Sequence, residues 1–181
     1  ADCSDRSLNK NMTNEGGFGD TFRYLKNIMG LWMIQSVRNE LGRKYSFEEL
    51  CNMAEQEKDF EAVVDVNDES FLAPDSMTEA VKEYCRKHHF NRIPETPGQL
   101  AKTIYKSLSI SYADTVKELE ELSGRKYDAI YIVGGGCNAD YLNRLTSEAT
   151  GKKVYAGPSE ATAIGNIVAQ MIGTGLVKDK S

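Results

Sequence analysis

Three consecutive glycines, Gly134, Gly135 and Gly136, separate two patterned stretches of this chain. The stretch before them, "YDAIYIV" at 127–133, has the length and β-branched content of a buried strand. The stretch after them, "NADYLNRLTSEATG" at 138–151, has helical spacing and ends in a glycine, which commonly terminates helices. Glycine costs backbone entropy and adds no side-chain packing. A run of three therefore indicates that another group, either a ligand or a neighbouring element, must come close to the backbone here.

Two explanations for this approach remain open. At the carboxyl end of a strand that leads into a helix, backbone N–H groups and the helix N-terminus can seat a phosphate or the face of a base. Alternatively, the glycines let the helix pack tightly on the strand. The stretch has neither the GK[ST] ending of a Walker loop nor the second half of a GxGxxG motif.

The last third of the chain alternates between strand and helix patterns. A second strand is predicted at 152–157 and a second helix at 158–175, which together with the first pair indicate an α/β layer. Upstream of this layer, residues 1–20 are predicted to form an irregular lead-in loop with a turn at Gly16 and Gly17. Apolar spacing predicts four helices between the two parts, at 21–41, 46–57, 76–89 and 98–124.

Composition limits the possible partners. The chain has 181 residues, 40% of them hydrophobic and 27% charged, which fits one globular domain. Its net charge is −5 and its basic residues are dispersed, so we expect no nucleic-acid partner. Four separated cysteines without a CxxC spacing favour a reducing cytoplasm, and no apolar run reaches membrane-spanning length. The chain does not begin with Met, which is compatible with processing or with a fragment of a longer polypeptide.

Five strings together are more specific than the glycine triplet: "NMTNEGG" (11–17), "LKNIMGLWMIQ" (25–35), "FLAPDSM" (71–77), "IVGGGCNADYLNRL" (132–145) and "AGPSEATAIGNIVAQM" (156–171). Through them the chain resembles the C-terminal half of the FGGY carbohydrate kinases over nearly its whole length. The resemblance implies an incomplete actin-like, ribonuclease H-like ATPase domain of α/β class with several flanking helices. Residues 21–181 would then be the C-terminal nucleotide-binding domain, with the N-terminal sugar domain absent.

The resemblance also implies a reaction. Such kinases transfer a phosphoryl group from ATP, with Mg²⁺, to a sugar hydroxyl, and the strings favour L-rhamnulose as the ketose, with L-fuculose or xylulose as alternatives. The partners implied are the sugar, ATP and the N-terminal domain. The family's catalytic aspartate lies upstream of the matched segment, so we expect no catalytic residue and no metal ligand here, and no activity from this chain alone. A non-catalytic nucleotide-binding module or a structural α/β interaction domain would be the alternatives outside this family.

The resemblance assigns roles to five residues. Gly135, flanked by Gly134 and Gly136, is expected to bind ATP, Gln35 to bind the nucleotide, and Asn27 to bind the sugar. On the predicted helix 21–41, Asn27 and Gln35 would be separated by about 12 Å of rise and about 80° of rotation, so both could face one cleft at two depths. The alternative for each amide is burial with a hydrogen bond to nearby backbone.

Overall fold

The computed structural model of the protein describes residues 2–89 and 92–178, without the side chain of His89. Residues 179–181 of the predicted nucleotide-binding domain therefore lie outside the described residues, as do 1, 90 and 91. The helices are α1 (Asp5–Asn9), α2 (Trp32–Glu40), α3 (Phe47–Gln56), α4 (Met77–His89), α5 (Pro97–Ser123), α6 (Asp140–Thr150) and α7 (Ala161–Gly173). The strands are β1 (Met12–Gly16), β2 (Phe22–Lys26), β3 (Ala129–Ile132) and β4 (Lys153–Ala156).

The four strands form two small sheets. β1 and β2 are an antiparallel hairpin in which Met12 lies opposite Lys26. β3 and β4 are parallel, with Ile132 opposite Ala156, and α6 connects them. The βαβ unit of the sequence pattern is therefore present, and the predicted α/β class is confirmed.

The predicted lead-in loop and the predicted helix 21–41 are both wrong in their secondary structure. Residues 1–20 contain α1 and β1, and the helix begins only at Trp32, after β2 and Gly30. The hairpin turn explains the difference, because the N–H of Gly17 donates to the carbonyl of Thr21 at 2.7 Å and directs β2 back along β1. Pairing with β1 therefore overrides the helical spacing of the apolar residues.

The other predicted helices are confirmed, with their capping signals. Ser46 and Glu49 form a reciprocal capping box at the start of α3, with bonds of 3.1 and 2.7 Å. At its other end α5 stops at Gly124, whose φ of 65° lies in the left-handed region. Local capping chemistry thus fixes the ends of the two helices that dominate the core.

The hydrophobic core lies where α3 and α6 pack against α5. Its largest fully buried side chains include Tyr105, Phe71, Met33, Ile34 and Leu50. At Gly98 the helices α5 and α3 approach each other closely, since a Cβ there would lie 3.0 Å from the carbonyl oxygen of Met53. Because the same α3 also borders the groove described below, this packing positions one wall of the candidate site.

Helix α4 is capped by a carboxylate from another helix. Glu40, the last residue of α2, accepts hydrogen bonds from the N–H groups of Met77 at 2.6 Å and Thr78 at 3.0 Å, and from the hydroxyl of Ser76 at 3.0 Å. Partial burial alone would raise the pKa of Glu40, but the bonds from Thr78, Met77 and Ser76 together outweigh it and hold this pKa below its ordinary value of 4.5. The charged carboxylate therefore stabilises the start of α4.

We expect Glu40→Gln to lower the free energy of unfolding by about 1 kcal/mol at pH 7. Because the folded-state pKa of Glu40 is depressed, its contribution is complete above the unfolded-state pKa and is lost as the pH falls through the lower folded-state value. Urea unfolding of both proteins at pH 7 and at about pH 3 measures this. A difference that stayed constant between the two pH values would contradict the role of the charge.

Candidate functional site

The loops that follow β3 and β4 lie side by side. The N–H of Gly157 donates to the carbonyl of Ile132 at 2.8 Å, and the N–H of Gly134 donates to the carbonyl of Pro158 at 3.1 Å. Gly134 and Gly157 have φ values of +77° and +108°, which side chains rarely tolerate. Cross-strand bonding therefore continues past the strands and joins the glycine turn to the loop before α7.

The glycine turn presents its backbone outward. Gly135–Asn138 is a 3₁₀ turn, and Gly135 is exposed, with nothing within 4 Å of the place where a Cβ would stand. In the described part of the chain, the N–H groups of Gly135 and Gly136 make no hydrogen bond. The next helix, α6, has Ala139 as its N-cap and so no capping side chain. Donors of the turn and of the first turn of α6 are therefore available at one place.

A groove of about 710 Å³ runs between α3 and these two loops. It is lined on the α3 side by Phe47, Glu48, Cys51, Asn52 and Glu55, and on the loop side by Cys137, Asn138, Asp140, Tyr141, Arg144, Ala156, Gly157 and Ser159. The groove opens at the carboxyl ends of parallel strands, which is the usual place for ligands in α/β folds.

One cation and three carboxylates line this groove. Arg144 pairs with Glu55 at 2.7 Å and lies over the ring of Tyr141, 5.4 Å from its centroid. Glu48 and Asp140 are the other two acids of the lining. The wall is therefore net acidic, which disfavours phosphate inside the groove and favours an uncharged group there.

Two of the predicted nucleotide-binding elements lie close together. A Cβ on Gly136 would stand 3.3 Å from Cδ1 of Leu31, the residue before α2. The N–H of Gln35 donates to the carbonyl of Leu31 at 2.9 Å, so exposed Gln35 lies one helical turn from this contact. The structure thus brings Gln35 to the neighbourhood of the glycine turn, while its role in binding stays a prediction.

Asn27 does not project from α2. It is an exposed residue of the loop that directly follows β2, so the predicted geometry of two amides on one helix is wrong. The reason is the hairpin, which ends at Lys26 and leaves a short loop before Trp32. Exposure also excludes a buried structural amide at either Asn27 or Gln35.

Sequence reasoning missed the α3 side of the groove. Glu48, Asn52 and Glu55 occupy the polar face of an amphipathic helix, and nothing in their spacing distinguishes them from ordinary solvent-facing residues. Cys137, on the loop side of the groove, is buried, with 6% of its surface exposed. Only the crossing of α3 beside the glycine turn reveals the missed residues.

The described residues contain neither a membrane-spanning helix nor a cluster of metal-binding side chains. Across residues 2–89 and 92–178, no helix combines the length and apolar character needed to cross a membrane. In the same described residues, no group of three or more His, Cys, Asp and Glu side chains could hold a metal ion.

Comparison with known proteins identifies the class to which this fold and site belong. Residues 2–174 match the C-terminal domain of the FGGY family of carbohydrate kinases, and the chain belongs to this family. It is 48% identical over 167 residues to a rhamnulokinase of Lactiplantibacillus plantarum, covering 92% of this chain and 34% of the relative. It is 44% identical over 176 residues to a rhamnulokinase of Bacillus subtilis, covering 97% of this chain and 36% of that protein. The chain thus spans about a third of the length of the curated relatives it matches.

Proposed function

We propose that this chain is the nucleotide-binding part of a cytoplasmic kinase that transfers a phosphoryl group from ATP to the 1-hydroxyl of L-rhamnulose. The observation that carries the proposal is the pair of unbonded N–H groups at Gly135 and Gly136, at the carboxyl end of a parallel strand. Such donors suit phosphate oxygens. The choice of sugar is supported by relatives named rhamnulokinase that are 41–48% identical over most of the chain.

The charges around the groove favour one orientation of the nucleotide. A groove of about 710 Å³ is large enough for a nucleoside. Its acidic lining repels phosphate, whereas Gly135, Gly136 and the uncapped start of α6 attract it. We therefore infer that the nucleoside lies between α3 and the loops, that the phosphates reach the glycine turn, and that Gln35 contacts the nucleotide there.

The remainder of the reaction site comes from outside this chain. In the proposed reaction the sugar hydroxyl oxygen attacks the γ-phosphorus, an upstream carboxylate takes the hydroxyl proton, and ADP leaves. Mg²⁺ accompanies the ATP phosphates. Asn27 contacts the sugar, and an N-terminal domain supplies the catalytic aspartate and most of the sugar site. This chain contributes the placement of the γ-phosphate relative to the sugar.

ADP release by the full-length polypeptide tests the proposal. With Mg·ATP and a panel of L-rhamnulose, L-fuculose, D-xylulose and glycerol, we expect the highest kcat/KM with L-rhamnulose and no turnover with the 181-residue chain alone. A higher kcat/KM with another sugar would contradict the substrate assignment. Binding of ATP without stimulation by any sugar would instead favour a non-catalytic nucleotide-binding module.

A further inference from the structure

The N-terminal hairpin is attached to the outside of the core. None of the described residues 2–26 belongs to the hydrophobic core cluster. Within this unit, α1 and β2 are joined by a bond of 2.6 Å between the hydroxyls of Ser7 and Tyr24. Its attachment to the rest of the fold therefore depends on other contacts.

Ion pairs to helix α5 supply such contacts. Lys26, the last residue of β2, pairs with Glu118 at 2.6 Å, and Lys10 pairs with the other oxygen of the same carboxylate at 3.2 Å. The side chains of Lys26 and Glu118 are only 19% and 21% exposed. Burial alone would raise the pKa of Glu118, but the bonds from Lys26 and Lys10 outweigh it and keep this pKa below its ordinary value. Glu118 is therefore charged at neutral pH.

Helix α5 supports the nucleotide side through a neighbouring carboxylate. Glu120, two residues beyond Glu118, accepts a bond of 2.6 Å from Lys152, which directly precedes β4. One end of α5 thus holds both the end of β2 and the start of β4. These two attachments therefore contribute to the placement of the loop after β2 relative to the loop after β4.

We propose that Glu118 is a positioning residue, which fixes Asn27 relative to the glycine turn by holding Lys26. Asn27 directly follows Lys26, so its Cα lies about 3.8 Å from the Cα of Lys26, whose backbone pairs with Met12 and whose Nζ is bound by Glu118. This inference rests on the proposed function, in which Asn27 contacts the sugar. Glu118 itself touches neither the sugar nor the nucleotide, and its loss acts on sugar binding through Lys26.

Steady-state kinetics of the full-length polypeptide test this role. We expect Glu118→Gln to raise the KM for the sugar about fivefold, because a partly buried ion pair is lost, while the KM for ATP is unchanged. The matched control is Glu121→Gln, one turn further along α5, where the partner is Arg6 of α1 and both side chains are about 60% exposed. The control should leave both constants unchanged.

Two further measurements separate positioning from general stability. Lys26→Met should raise the sugar KM nearly as much as Glu118→Gln does, and the double variant should add little, because Glu118→Gln removes, besides the pair with Lys26, only the longer and more exposed pair with Lys10. Lys10→Met removes only the more exposed of the two pairs to Glu118, at 3.2 Å, so it should raise the sugar KM less than Lys26→Met does.

The results distinguish failure of the positioning role from failure of the proposed function. An unchanged sugar KM in Glu118→Gln, or a parallel rise in the KM values for sugar and ATP with a lower Tm, overturns the positioning role and leaves the kinase proposal intact. Absence of sugar-stimulated turnover in the unsubstituted protein contradicts the proposed function and this inference with it. An unchanged sugar KM in Lys26→Met also overturns the positioning role, even where Glu118→Gln fails to fold.

Discussion

Gly135→Val is expected to raise the KM for ATP at least tenfold in the full-length polypeptide, equivalent to about 1.4 kcal/mol of binding free energy. The Gly135 backbone is outside the positive-φ region, and a Cβ there would have nothing within 4 Å, so the fold can accept a side chain. The valine methyl groups would nevertheless cover the N–H groups that we assign to phosphate. ATP-dependent kinetics at saturating sugar measure the effect, and thermal unfolding measures whether the fold is kept.

The control for this variant is Gly165→Ala in α7, at an exposed position where a Cβ also has nothing within 4 Å. It should leave the KM for ATP unchanged. If Gly135→Val folded normally and bound ATP as well as the unsubstituted protein, the glycine turn would not contact the phosphates. The triplet would then serve only the packing of the loops.

Gly98→Ala is expected to lower the free energy of unfolding by about 1–3 kcal/mol. The new methyl group would stand 3.0 Å from the carbonyl oxygen of Met53 in α3 and 3.1 Å from Cγ of Glu57. Glu57 is itself held by the hydroxyl of Thr96 at 2.8 Å, so neither neighbour moves freely. The two helices must therefore give by a few tenths of an ångström, and α3, which also borders the groove, takes part in this shift.

Urea unfolding followed by circular dichroism checks this effect, with Gly165→Ala as the comparison. In Gly165→Ala the same change removes a helical glycine without crowding, so it should stabilise the protein by up to about 1 kcal/mol. The two alanine substitutions are therefore expected to have opposite signs. Equal stabilisation by both would show that the contact between α3 and α5 has room for a methyl group.

Local chemistry made much of this fold predictable from the sequence. Ser46 with Glu49 and the terminal Gly124 are short-range signals, and the structure contains the helices that they delimit. The hairpin was not predictable in this way, because Phe22 and Leu25 fit helical spacing and only their pairing with β1 decides otherwise. The position of Asn27 was missed for the same reason.

In the candidate site, too, one part was predictable from the sequence and another part was not. The glycine turn was predictable because three consecutive glycines after a strand indicate a close approach to the backbone, whether by a ligand or by a packed helix. The opposite wall of the groove was not, since Glu48 and Asn52 are ordinary polar positions until α3 crosses beside the turn. Packing between elements that are distant in sequence creates this wall. The spacing of residues within one helix therefore does not predict it.

The bonds from Gly157 to Ile132 and from Gly134 to Pro158 have a thermodynamic consequence. The backbone around the turn is already ordered by its neighbour loop, so the conformational entropy of these glycines is lost during folding and not on binding. Nucleotide association should then proceed without a loop-ordering step. Its heat-capacity change should reflect the surface that the ligand itself buries, with no added contribution from coupled folding.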